Sequence, residues 1–294
     1  MSKVYCRGVY GGMAFKEMKV YQQPRYHEWR WKELVEPLVQ KDGQDRMFLD
    51  LGCNAGWYMR KAQRLGYKTI GVERDLDYLS QAPKHLDIIE GDVNYYKPHC
   101  AYLTLLACVH YHQSDEQVEA LFHNLIYSTA YLLVMGRHKG RVKSIPNRDH
   151  LMKKLRNWKL IDSREAKAFY TVLVKNPRYE ELSVDDLYAA TKEYVSKIKG
   201  FVDFVPSFED FVRRTLDDLN FNPVGCKFVD YLKHRRFPYP LGRCWIYKVM
   251  IEELKNQGIH TALKVKDGRI KDGYHRLIVL RELGVKRVVC RVIK

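Results

Sequence analysis

Between Asp50 and Gly56 the chain reads Asp-Leu-Gly-Cys-Asn-Ala-Gly, a carboxylate followed by two glycines at Gly-x-x-x-Gly spacing. A strand that ends in an acid, then turns through small residues into a helix, brings backbone N–H groups to a ligand without Cβ obstruction. Gly52 and Gly56 supply the close approach, with Cys53 and Asn54 in the turn between them. Glu73 follows about twenty residues on, where an acid at a strand end can accept hydrogen bonds from both hydroxyls of a ribose. Asp92 and Val93, after Gly91, close a third apolar run beside the place a base would occupy. An acid at that distance also occurs in dinucleotide-binding chains, whose turn is Gly-x-Gly-x-x-Gly. This turn opens on a carboxylate and lacks the middle glycine, which suits a positively charged sulfonium ligand better than a pyrophosphate.

These residues resemble a known family. Phe48 to Tyr58 is similar to motif I of the class I S-adenosyl-L-methionine (SAM)-dependent methyltransferases. Gly71-Val-Glu-Arg-Asp75 is similar to the acidic second motif, Glu90-Gly-Asp-Val93 to the third, and Leu105 to Tyr111 to the segment after strand four. The four motifs stand in the family's order within residues 45–175. The resemblance implies a Rossmann-like, doubly wound α/β methyltransferase sheet with SAM as cofactor. It implies that Gly52 and Gly56 contact the methionine part, Glu73 the ribose and Asp92 the adenine. Asp50, Cys53, Asn54, Arg74, Val93 and Ala107 complete the implied cofactor set.

The acceptor is less legible. No Asn/Asp-Pro-Pro-Tyr/Phe segment of the base-amine methylating enzymes follows strand four, and no Pro-Cys nucleophile of the cytosine-C5 type is present. Cys108 lies in an apolar strand and reads as structural. The strand-four exit carries His110 and His112, and a histidine there has a pKa suited to removing an acceptor proton at neutral pH. The alternative role for either is only to shape the pocket. Trp57 and Tyr58 either cover the ligand or pack the following helix.

A second constellation lies near the C-terminus. Asp272-Gly273-Tyr274-His275-Arg276, followed by Leu280-Arg-Glu-Leu-Gly284, resembles the turn of the ParB/sulfiredoxin-like fold. A glycine turn at a helix start with His275 and Arg276 beside it suits a phosphate. The resemblance implies a nucleotide or phosphate site at Asp272, Gly273, His275 and Arg276, although the Arg-rich box of the cytidine-triphosphate binders is incomplete.

The elements that must position these groups follow from periodicity. Residues 26–40 have helical spacing. Strands are expected at 47–51, 68–73, 86–92, 101–108, 131–135 and 170–174, with helices at 58–65, 76–81 and 116–129. Alternation of this kind implies a parallel sheet. Beyond it, segments 183–199 and 207–219 look helical. The last fifty residues read as helix 248–257, strand 261–265, a turn at 266–269, helix 274–283 and strand 287–293. The expected divisions are a methyltransferase domain at 1–176, a helical connector at 177–240 and a small α/β ParB-like module at 241–294.

Composition agrees with a folded enzyme. Of 294 residues 46% are hydrophobic, ample for a core. No apolar run spans a bilayer, the first residues lack a signal-peptide core, and the seven cysteines fall at irregular spacings without a zinc pattern. A cytoplasmic protein with no membrane and no metal is expected. The net charge of +16 is uneven: residues 137–159 carry nine Lys/Arg against one acid, and 227–294 carry seventeen against six. Two basic regions point to an anionic substrate or partner, DNA or RNA among them.

Overall fold

The computed structural model describes residues 24–44, 46–96, 101–107, 114–137, 147–197, 204–236, 238–257 and 262–294. The chain divides into two compact units, one up to Arg178 and one from Tyr179 to Lys294.

The first unit is built on a seven-stranded sheet of β1 (Met47–Leu51), β2 (Lys68–Glu73), β3 (Ile88–Glu90), β4 (Ala101–Leu106), β5 (Thr129–Arg137), β6 (Lys159–Ala166) and β7 (Phe169–Lys175). Their order is β3-β2-β1-β4-β5-β7-β6. The first five strands are mutually parallel, and β7 runs antiparallel between β5 and β6. This is a Rossmann-like, doubly wound arrangement. β1, β2 and β4 are short and largely apolar because they are covered on both faces. On one face Leu49, Leu51, Val72, Leu132 and Val134 pack with Val118, Leu121 and Leu125 of α4 (Asp115–Leu125), Leu151 of α5 (Arg148–Lys154) and Leu155, which caps it. Of the other helices, α1 (Pro24–Arg30) precedes the sheet, α2 (Trp57–Arg64) packs against β1 and β2, and α3 (Leu76–Gln81) against β2 and β3. After Arg30 the expected long helix continues as a π-helical stretch, Trp31–Val35, then a 3-10 turn, Glu36–Leu38. Pro37 ends it by removing an N–H donor. Strand β6 escaped the sequence because its side chains are largely exposed and it forms the sheet's edge.

The second unit holds a four-stranded sheet in the order β10-β9-β11-β8: β8 (Tyr179–Ser183), β9 (Leu263–Lys266), β10 (Arg269–Asp272) and β11 (Arg287–Val292). Its helices are α6 (Val184–Ser196), α7 (Phe204–Asp217), α8 (Lys227–His234), α9 (Pro240–Gln257) and α10 (Tyr274–Glu282). The division at 240 expected from the sequence is absent from the packing. Phe208, Phe211, Phe228 and Leu232 of the supposed connector share one core with Leu263, Leu277 and Cys290. The physical reason is β8, which pairs antiparallel with β11 and ties the start of the connector to the end of the chain. Among the described residues no helix is long and apolar enough to cross a membrane.

Candidate functional site

Strand β1 lies between β2 and β4, the point at which the strand order reverses. In open α/β sheets ligands bind beyond the carboxyl ends of the strands at such a point. The loop leaving β1 takes left-handed backbone at Gly52 (φ 79°), Asn54 (φ 53°) and Gly56 (φ 72°). Asparagine is among the few side-chain-bearing types that tolerate this region. Gly56 caps α2, and a Cβ there would collide with Leu86 Cδ1. A Cβ on Gly71 would come within 2.6 Å of Cys53 Sγ and Met59 Sδ, so the Cys53 side chain serves local packing.

The loop's amides differ from expectation. Gly52 and Cys53 donate to the Val72 carbonyl (2.8 and 3.1 Å), and Gly56 donates to the Cys53 carbonyl (3.0 Å). Asn54 donates to Glu73 Oε2 (2.8 Å). The amides meant for a ligand are thus spent inside the protein, because Val72 and Glu73 at the end of β2 reach over the turn. Such a loop offers no row of free N–H groups for a pyrophosphate.

Glu73 is 8% exposed and also accepts from the amides of Arg74 and Asp75 through Oε1 (2.9 Å each). Three of roughly four acceptor positions on a carboxylate are occupied by backbone, which fixes its orientation and leaves one position for a further donor such as a ribose hydroxyl. Asp92 accepts from Asn94 N–H (2.9 Å) and from Arg74 Nη1 (3.1 Å). Val93 is partly buried against the sheet core, and Ala107 stands half-buried just after β4. His110, His112 and Cys108 lie outside the described residues.

Asp50 behaves differently from the other acids. Its residue is 0% exposed, and neither carboxylate oxygen has a hydrogen-bond partner among the described residues. Burial, reinforced by Glu73 and opposed by Arg30, pushes its pKa up to about 8. An unpaired buried carboxylate is costly, and at pH 7 the group is therefore mostly protonated.

The sequence reading missed Arg30 and His27. Arg30 is 5% exposed, donates from Nε to Met135 Sδ (3.0 Å) and lies 5.2 Å from the Phe169 ring and 5.9 Å from Tyr58. His27 packs at 5.7 Å against Trp57 and at 5.8 Å, edge-on, against Tyr58. Burial, then Arg30, brings its imidazole down to about 3, so it is neutral at pH 7. The signal was available in Tyr26-His27-Glu28-Trp29-Arg30-Trp31, where His27 and Arg30 share a helix face at i, i+3. Trp57 and Tyr58 are buried against this segment, and Tyr58 stacks on Trp31.

In the second unit Gly273 (φ 99°) caps α10. A Cβ there would come within 2.9 Å of Arg276 Nη2. Asp272 pairs with Lys264 at 2.9 Å and stands 3.9 Å from Arg276. His275 turns the other way: its ring stacks on Tyr247 at 4.7 Å, meets Phe208 edge-on at 4.9 Å, and its Nε2 lies 3.1 Å from Tyr247 Oη. Burial, then Arg243 and Arg276, lowers its pKa to about 4, so at pH 7 it carries no charge for a phosphate. Among the described residues no group of three His, Cys, Asp or Glu could hold a metal ion.

No family model matches the chain, and no curated protein matches it. Among solved structures with similar backbones are the N-methyltransferase NodS from Bradyrhizobium japonicum in complex with S-adenosyl-L-homocysteine (12% identity, 52% of this chain and 88% of that one, TM-score 0.45) and magnesium protoporphyrin IX methyltransferase from Synechocystis with bound SAM (12%, 54% and 83%, TM-score 0.44). A SAM-dependent methyltransferase from Archaeoglobus fulgidus is similar at 14% identity over 51% of this chain and 93% of that one, with a TM-score of 0.41.

Proposed function

We propose that the unit up to Arg178 is a SAM-dependent methyltransferase acting on nucleic acid or another phosphate-bearing acceptor. The observation that carries this reading is the state of Asp50, a fully buried carboxylate without a hydrogen-bond partner at the head of a glycine turn. A cationic ligand favours the ionised form of that carboxyl; a pyrophosphate would favour its neutral form and would find the neighbouring amides occupied. The residues fit SAM: Asp50 faces its positive end, while Glu73 and Asp92 close the strands along which its nucleoside would lie. SAM supplies an already activated methyl group, so the chain's task is to bind, align and exclude water. The acceptor class rests on the basic regions 137–159 and 227–294.

Titration calorimetry tests the cofactor: SAM should bind, NAD should not, and Glu73→Ala should weaken SAM by about 1–3 kcal/mol. Preference for a dinucleotide would overturn the assignment. Mass spectrometry of cellular RNA, DNA and metabolites incubated with methyl-labelled SAM identifies the acceptor. Label confined to uncharged metabolites would replace the acceptor class with a small molecule.

The second unit supports a second reading, an anion-binding module of ParB-like type. It is favoured by the packing of Arg276 against Gly273 at the start of α10. ATP or CTP turnover that vanishes in Arg276→Ala would make the protein bifunctional; binding without turnover would make the module a recognition element.

A further inference from the structure

Helix α9 (Pro240–Gln257) is apolar on two sides. Cys244, Ile251 and Leu254 belong to the core of the second unit. On the opposite side Leu241, Trp245 and Val249 follow one another at four-residue spacing, which sets them in one row along the helix, with Ile246 beside them. Trp245 is 52% exposed, Ile246 69% and Val249 56%. Scattered surface apolar residues are ordinary, but a contiguous row of them marks a surface that binds something. Trp245 is held in place for contact: the Lys248 amine stands 4.6 Å from its ring and is itself anchored on the Phe221 carbonyl at 2.6 Å. Charge is divided along the same helix. Arg235 and Arg236 lie just ahead of its first turn, and Glu252 and Glu253 near its end. All four are exposed and, among the described residues, none has an ion-pair partner. Arg281, Arg287 and Lys264, by contrast, are paired with acids of their own unit.

We propose that this face of α9 binds a second copy of the chain, with the two α9 helices antiparallel about a twofold axis between Trp245 and Val249. A twofold contact is self-complementary, so one patch must carry both halves of every interaction. The face of α9 meets that condition. Antiparallel alignment sets Trp245 of each copy against Val249 of the other. It also brings Glu252 and Glu253 of each copy to the start of the other helix, where Arg235 and Arg236 stand and where the helix dipole is positive. Parallel alignment would set like charges together. A nucleic-acid strand suits the face less well, because Glu252 and Glu253 would repel its phosphates and Ile246 and Val249 offer its bases nothing to stack on. The inference is separate from the cofactor reading, which concerns the other unit.

Analytical ultracentrifugation of the full chain over a concentration series reads the association directly, and a monomer–dimer equilibrium is expected. Ile246→Arg and Trp245→Ala each alter an exposed side chain. Each should weaken the dimer about 10–100-fold, as loss of an interface anchor does, and keep the wild-type circular dichroism spectrum. Reversing the acidic end (Glu252→Arg with Glu253→Arg) or the basic end (Arg235→Glu with Arg236→Glu) should leave a monomer in either case. An equimolar mixture of the two reversed variants should associate again, because each reversed end then meets its opposite. A chain that is monomeric throughout the series overturns the proposal. So does a dimer that Ile246→Arg leaves intact, since its interface would lie elsewhere. Reversed variants that stay apart when mixed overturn it as well. Binding of a random oligonucleotide by a monomer, abolished in Trp245→Ala, would overturn it in favour of nucleic acid.

Discussion

At the scale of the residue, Asp50 links stability to ligand binding. In the unfolded chain it titrates in the ordinary carboxylate range; in the fold its pKa is raised to about 8 by burial and by Glu73. A group with a raised folded pKa favours folding while it is protonated in both states, and that advantage is lost as pH rises from the unfolded towards the folded pKa. The ligand-free protein should therefore lose stability between about pH 4 and pH 8 through this residue. Asp50→Asn keeps the shape without the charge, and should flatten that dependence and stabilise the free protein by a few kcal/mol at pH 8 (order of magnitude). The same change should weaken a cationic ligand. Urea unfolding at pH 5 and pH 8, followed by tryptophan fluorescence, reads the first effect and calorimetry the second. A variant less stable than wild type at pH 8 would mean that the carboxylate has a partner in the fold. His27 acts in the opposite sense: with its pKa lowered to about 3, the fold loses stability as pH falls from about 6.5, the ordinary imidazole value, towards 3, so the Asp50→Asn comparison, not the wild-type profile alone, isolates the carboxyl.

At the scale of the element, the glycine turn is a packed joint. Gly56 combines a left-handed backbone with side-chain contact from Leu86, so Gly56→Ala should destabilise by about 1–3 kcal/mol through backbone strain and overpacking. Gly71→Ala keeps an ordinary backbone but pushes on Cys53 and Met59. It should distort the turn and lower cofactor affinity more than it lowers stability, read by calorimetry beside thermal unfolding. Ser114 and Gln117 form a reciprocal capping box at the start of α4; Ser114→Ala should cost about 0.5–2 kcal/mol and leave cofactor affinity unchanged. These elements also mark how far the sequence could be read. β1 and β2 were legible because short apolar runs ending in Asp50-Leu51-Gly52 and Glu73 combine periodicity with punctuation. β6 was not, since Lys-Leu-Ile-Asp-Ser-Arg-Glu-Ala has no alternation and little of it is buried. β8 was hidden for another reason: its partner β11 lies more than a hundred residues away, a pairing no local window contains. The π-helical turn after Arg30 left no mark beyond its aromatic residues; the spacing of His27 and Arg30 was legible, but their contacts with Trp57, Tyr58 and Met135 were not.

At the scale of the molecule, formal charge overstates what a polyanion would meet. Within the second unit, several of the seventeen cations of residues 227–294 pair with nearby acids. Arg281 lies 3.7 Å from Asp185 and 3.5 Å from Glu209, Arg287 3.0 Å from Glu181, and Lys264 2.9 Å from Asp272. These cations are partly neutralised by neighbours, and exposed pairs of this kind add little to stability. The first unit shows the same effect at Lys154, which sits between Asp115 and Glu119 at 2.9 and 3.1 Å. Counterion release scales with phosphates contacted, not with net charge. If nucleic acid is the acceptor, affinity for a random oligonucleotide should fall linearly in log–log salt with a slope of about −3 to −5, equivalent to roughly four to six phosphates. A slope near the formal charge would mean that the ion pairs open on binding. Binding that ignores salt between about 50 and 200 mM, a range over which phosphate contacts lose orders of magnitude in affinity, would remove nucleic acid from the proposal. The basic regions would then be solvated surface, and the acceptor would have to be sought among molecules small enough to be recognised at the mouth of the β1–β4 crevice alone.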